Sequence, residues 1–419
     1  LKSTLLTLSV LFLTACGGGG GSSGPAGSTV TATPTPTATV TNVISLVTNQ
    51  LSEYSGVMNW VVGDLNNDGL DDVVHGGWAG PGLTSKLSIF IQNADGTMTD
   101  QTTTLLGNRV YDGSQHILIN DFDNDGRQDI WVPGFNDGCT SGCQAKSLML
   151  WGSSTGVFTR QDFTQGVDSH GACVADINGD GFLDMIVRSA FVSGQVGSGA
   201  YYINNKNRTF TYTSNSAVIS AGSTCSVIKQ ANGNMAILQG NVGMLTGFAS
   251  AINIVDSNLN LVTQIGVKGQ TVATDLINSI AMDVNNDGAM DFVLVFNQIA
   301  PGVPGAKEVW LNNGFNSYSY AYRIDMSTNN QYSMYNVVIN GLNLLMFDGP
   351  NGNAQLFNIA NNQFNLYNQD KFTAMATEAG GKPFVNDWSI RSGLVYTNKN
   401  TGKIYMMQNI KGLFYTKSM

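Results

Sequence analysis

Four nine-residue segments of this 419-residue chain place oxygen donors at one fixed spacing. The first reads Asp64-Leu65-Asn66-Asn67-Asp68-Gly69-Leu70-Asp71-Asp72. The second puts Asp121, Asp123, Asp125 and Asp129 at positions 1, 3, 5 and 9. Asp176, Asn178, Asp180 and Asp184 repeat the pattern, and Asp283, Asn285, Asp287 and Asp291 repeat it again. Calcium takes six to eight hard oxygen ligands, and this spacing wraps such donors round one ion. Position 6 is always Gly, which suits a sharp turn. Position 7 varies freely, as Leu70, Arg127, Phe182 and Ala289, and so suits a ligand that is a backbone carbonyl. An EF-hand would carry Glu at position 12; His75, Val132, Val187 and Leu294 stand there instead. These segments hold 14 of the 29 acidic residues, which would repel one another without a cation. The expectation is about four structural Ca2+ ions. Ion-free Asx turns explain one such loop more readily than four.

A second set of residues could do different chemistry. His116 and His170 stand five and six residues ahead of Asp121 and Asp176, each after a local acid, Asp112 or Asp168. With Trp60 and Trp78 they form a candidate ligand-contact set, able to grip a sugar or to move a proton. The competing reading is that these histidines tie neighbouring repeats together. His75, after Val73-Val74, reads as structural. His-Glu-x-x-His and Cys-x-x-Cys motifs are absent, and no acidic pair outside the loops suggests a glycosidase. No catalytic residue is therefore assigned. A net charge of −9 with no cluster of Lys or Arg argues against nucleic acid as a partner.

The elements that must position these residues read as strands. Met58-Asn59-Trp60-Val61-Val62 precedes the first loop and Asp291-Phe292-Val293-Leu294-Val295-Phe296 follows the start of the last, so each loop joins a hairpin. First-position aspartates are spaced by 57, 55 and 107, and the double interval contains a degenerate copy at 228–238. Further degenerate copies read at 337–347 and 384–396, without the acids. A second hairpin recurs seven times, from Leu87 to Met98 through Ile404 to Phe414. Both counts give seven units of four strands. The expected fold is all-β, a seven-bladed β-propeller with calcium-binding hairpin loops, with a linear solenoid as the other architecture. Abundant Gly (49 residues) and only 12% charged residues suit many strands and turns.

Residues 1–16 read as a targeting segment: Lys2, an apolar run from Leu5 to Leu13, then Leu13-Thr14-Ala15-Cys16, which resembles a bacterial lipobox. In that reading Cys16 carries the lipid, and Gly17 after it favours the outer membrane. An ordinary secretory peptide cut near Ala15 is the other reading. Residues 17–40, rich in Gly, Ser, Thr and Pro, form a tether, and 41–419 the propeller, with 41–47 either adding an edge strand or packing beside it. Four cysteines remain beside Cys16. Cys139 with Cys143 would close a small loop and Cys173 with Cys225 would staple adjoining repeats; buried thiols are the alternative.

The Asp-x-Asx-x-Asp-Gly-x-x-Asp loops resemble those of the FG-GAP and VCBS repeat families, which include the propeller heads of integrin α subunits. Gly76-Gly77-Trp78-Ala79-Gly80-Pro81 is similar to the Phe-Gly and Gly-Ala-Pro pattern of these repeats. The resemblance implies calcium in the hairpin between the innermost strand and the next. It implies no single activity, because such repeats occur in adhesins, lectins and polysaccharide-cleaving enzymes. The acid loops should share one face with the second-hairpin turns. The longer connections, 76–86, 133–146, 189–199, 239–250 and 297–307, should emerge on the other, where binding sites usually lie. The expected function is a noncatalytic surface-binding or adhesion module on a lipid anchor, meeting a glycan, the matrix or an envelope protein. A polysaccharide lyase or hydrolase and an envelope assembly subunit are the alternatives.

Overall fold

The alternating apolar residues on either side of each acidic loop form an antiparallel hairpin in the computed structural model of the chain. The structure describes residues 44–46, 58–135 except 81, 145–166, 168–188, 191–192, 195–196, 199–214, 222, 224–239, 251–267, 274–298 except 286, and 305–325 except 315. It also describes, as backbone, seven strands between 334 and 418. Residues 1–40, including Cys16, and the Cys139–Cys143 loop lie outside the described residues.

Met58–Gly63, Asp72–Gly77, Ser88–Gln92 and Met98–Asp100 make the first four-stranded sheet, ordered as in the chain. Residues 118–166, 171–214, 227–266 and 274–325 each make another. The hairpin register is the same at all four acid loops. Gly63, Asn120, Ala175 and Met282 pair with the position-9 aspartates Asp72, Asp129, Asp184 and Asp291. The degenerate fourth sheet keeps the hairpin with a shorter turn, Lys229 pairing with Met235.

Period-2 alternation sends successive side chains of one strand to opposite faces, and each face fills a gap between sheets. Ile130 and Val132 pack toward Val74 and Ile89 of the first sheet. Trp131, between them in sequence, packs toward Met185 and Val187 of the third. Ile186 and Tyr201 then meet Met235 and Ile237, and Leu238 and Ile252 meet Leu294 and Phe296. The first strands adjoin one another, Met58–Gly63 beside Leu118–Asn120 and Gly171–Ala175 beside Val227–Lys229, so they are innermost.

The expected seven-bladed propeller with calcium hairpins is therefore corrected to a five-bladed β-propeller, residues 58–325: five sheets carry described packing, face against face. Two more four-stranded sheets follow as paired backbone. One is Met334–Ile339 through Gln363–Leu366; the other is Leu394–Asn398, Lys403–Ile410 and Leu413–Ser418. On the last of these the strand Ile44–Leu46 adds a fourth, Ile44 opposite Thr416 and Leu46 opposite Phe414. Among the described residues no helix is long and apolar enough to cross a membrane.

Candidate metal centre and the opposite loop face

The acid loops are held by their own backbone. The Asp64 carboxylate accepts the N–H groups of Asp68 and Gly69 at 3.0 and 2.8 Å. Asp121 accepts those of Asp125 and Gly126 at 3.1 and 2.9 Å, and Asp283 those of Asp287 and Gly288 at the same two distances. Gly at position 6 has φ near +85° in every copy (Gly69 +85°, Gly126 +83°, Gly181 +89°, Gly288 +87°), a conformation that strains any side chain.

Position 9 does a second job. Each of these aspartates is fully buried, and one oxygen accepts the N–H of the position-2 residue, Leu65, Phe122, Ile177 or Val284. The other oxygen accepts an N–H at the end of the third strand, from Gln92, Gly152, Asn204 or Asn312. One carboxylate thus ties loop, second strand and third strand. Burial pushes Asp72 and Asp129 up to about 7, against those N–H bonds and with help from the neighbouring loop aspartates. Burial likewise raises Asp291 to about 6, and Asp184 in the same direction. A cation beside them would act the other way. Sequence reasoning missed the position-2 anchor, although its signal was present: Leu65, Phe122, Ile177 and Val284 are all apolar and all buried.

Asp121, Asp123 and Asp129 bring their carboxylate oxygens within 4.8 Å of one another and could coordinate a metal ion. All-oxygen, anionic donors fit a hard divalent cation. The expectation of four equivalent calcium hairpins is corrected to this one cluster among the described residues. At position 3 of the other loops Asn66, Asn178 and Asn285 turn their amide N–H toward Asp68, Asp180 and Asp287 at 2.9, 3.0 and 2.8 Å, so only the second loop carries carboxylates at positions 1, 3, 5 and 9. Of the position-7 residues, Leu70, Arg127, Phe182 and Ala289 each donate a backbone N–H to the position-5 aspartate.

Basic side chains also reach two loops. Arg208, in the turn joining the last two strands of the third blade, contacts Asp123 of the second at 2.6 Å. Lys229 of the fourth blade contacts Asp176 of the third at 2.9 Å. Asn67 donates to the Gly126 carbonyl, and Asn124 to that of Gly181, at 2.8 and 2.9 Å. The loops and the second-hairpin turns therefore share one side of the propeller, as the connectivity requires.

On the opposite side, the connections of the first three blades converge. Trp78 meets Phe135 edge-on at 5.2 Å, and Phe135 meets His170 at 4.7 Å. Phe135 is buried, while Trp78, His116 and His170 are half-buried. The His116 Nε2–H donates to the His170 carbonyl at 3.0 Å, across the second and third blades. Asp112 accepts the Lys146 backbone N–H at 3.0 Å, and half-buried Asp168 lies just ahead of Gly171–Ala175. Trp60 does not line this face: it is buried, its ring 4.3 Å from that of the buried His75. Cys173 and Cys225 form a disulfide between the innermost strand of the third blade and the start of the fourth.

Residues 64–132, which span the first two acid loops, match the FG-GAP-like repeat. No curated protein matches the chain. Among solved structures the chain is similar to a fungal alcohol oxidase of the AA5 family in complex with copper. Identity there is 14% and the TM-score 0.53, over 87% of this chain and 75% of that one. It is also similar to the Dos1 propeller, at 10% identity and TM-score 0.46 over 87% and 81% of the two chains. For BBS1N in complex with ARL6DN the values are 10% and 0.36 over 74% and 92%. At such identities the likeness speaks to the fold alone: a β-propeller carrying an FG-GAP-like repeat, an architecture compatible with a binding surface.

Proposed function

We propose that the chain is a noncatalytic surface-binding or adhesion module, carried on a lipid at Cys16 and stabilised by calcium at Asp121, Asp123 and Asp129. The observation that carries the binding role is the row Trp78–Phe135–His170. It draws on three blades and sets half-buried Trp78 and His170 on either side of the buried Phe135 ring. A flat aromatic edged by an imidazole suits a sugar ring, which offers an apolar face and peripheral hydroxyls. A polysaccharide lyase or hydrolase would need His116 and His170 to converge on one reacting atom. Here the His116 ring hydrogen goes to the His170 backbone, which favours the histidines as ties between blades.

Calcium suits the second loop because its donors are all oxygen and its position-9 carboxylate is already oriented by two N–H groups. The lipid anchor rests on the segment ending in Cys16, and with it the assignment to the outer membrane. Two measurements test these roles. Envelope glycans and matrix polysaccharides should bind the wild-type protein, and Trp78→Ala should weaken that binding about tenfold or more at unchanged calcium. A panel with no binder would reject the glycan reading. Cys16→Ser should move the protein from the membrane to the soluble fraction; unchanged fractionation would reject the anchor.

A further inference from the structure

The second loop differs from the others at position 3 and, like the third loop, is reached by a basic side chain of the next blade. Its position 3 is Asp123, where the other three loops have Asn. Asparagine neutralises its own loop by donating to position 5, as Asn66 does to Asp68 at 2.9 Å. Asp123 cannot donate, and the next blade supplies a cation instead. Arg208 places both Nε and a terminal nitrogen 2.6 Å from Asp123 Oδ2, with that terminal nitrogen 3.6 Å from Asp125 Oδ2. The Asp123 side chain is 10% exposed and that of Arg208 43%, so the carboxylate is sheltered while the guanidinium stays open to screening by water. The guanidinium is also held over the Trp151 ring, at 5.2 Å from its centroid. Arg127, of the loop itself, reaches Asp125 at 3.1 Å.

We propose that Arg208 is a built-in counter-ion of the second loop, which a divalent cation has to displace from Asp123. Filling the loop then works against clasping the second blade to the third. The inference rests on the metal reading of Asp121, Asp123 and Asp129. Arg208 occupies Asp123 Oδ2, and the two positive charges of a cation in the loop repel a guanidinium in contact with the same carboxylate. The free loop keeps blade contact through Arg208; the filled loop gives it up and gains a metal-bridged turn. Arg208 is thus a positioning residue that sets how tightly this loop holds its ion.

The test is a terbium titration of the full-length protein, following emission sensitised by nearby tryptophan. The component lost in Asp121→Asn identifies the second loop. Arg208→Gln should tighten that component about two- to fivefold, the range expected when one half-exposed opposing charge is removed. Arg208→Lys, which keeps the charge, should lie nearer wild type. Thermal melts in chelator report on folding of the variants, and there the Arg208→Gln and Asp123→Asn effects should be non-additive, becoming additive in saturating calcium. Unchanged or weaker terbium binding in Arg208→Gln overturns the counter-ion role. Absence of any component lost in Asp121→Asn overturns the metal reading itself, and the counter-ion role with it.

Discussion

His75 shows how one buried residue sets the protein's response to acid. Burial alone holds its imidazole down at about 3, so the folded protein keeps it neutral through the mildly acidic range. The unfolded chain protonates the same ring near its ordinary 6.5. Below 6.5 the unfolded state therefore binds the extra proton, and stability falls as pH drops from about 6.5 toward 3. At pH 5 this one group should cost about 2 kcal/mol relative to neutral pH. In calcium-saturated protein, His75→Gln should flatten the dependence of melting temperature on pH between 7 and 5. An unaltered slope would place the acid sensitivity elsewhere. The sequence showed His75 as structural because it follows two valines; its contact with Trp60 was not readable, since that contact joins two strands by register.

At the scale of the element, the hairpin is the unit that the sequence expresses best. Alternation fixes which side chains leave each face, and four loops of identical length fix an identical register. The fourth blade was legible for the same reason, as a hairpin whose loop had lost its acids. What spacing does not express is which carboxylates converge. The four loops look equivalent as patterns, yet one Asn-to-Asp difference at position 3 separates the Asp121–Asp123–Asp129 cluster from the rest. The Cys173–Cys225 bridge was readable from a separation near the repeat length, 52 residues. Closing a loop of that size restricts the unfolded chain by about 4 kcal/mol in the chain-entropy model. Cys173→Ser with Cys225→Ser should lower the denaturation midpoint by an equivalent of about 2–4 kcal/mol without altering the circular dichroism of the folded protein. An unchanged midpoint would mean that the bridge adds nothing to the packing of Ile186 and Tyr201 on Met235 and Ile237.

For the whole molecule, repeat counting reached further than packing does. It gave seven strand units, whereas five sheets carry described faces packed against one another. Periodicity does not report packing between repeats: Trp131 is buried against Met185 and Val187, residues of a different repeat. The edge strand at 44–46 was left open by the sequence, being only three residues long. In the structure it pairs with Leu413–Ser418. Deleting residues 41–47 should lower the melting temperature by at least about 3 °C and expose the 394–418 strands to protease first. Equal melting and equal digestion patterns would show that this pairing contributes nothing.

That pairing also orders events in time. Ile44 and Thr416 lie 372 positions apart, so Ile44–Leu46 emerges early and has no partner until the last strand of that sheet has been made. The equilibrium cost of so long a closure is modest, since each doubling of length adds only about 0.6 kcal/mol. The kinetic cost is larger, because distant pairings form slowly. The earlier hairpins, each built from neighbours in sequence, can form as they are synthesised, while this seam waits. A chain halted before residue 413 would hold finished hairpins and one orphaned strand, an adhesive edge that quality-control proteases could recognise.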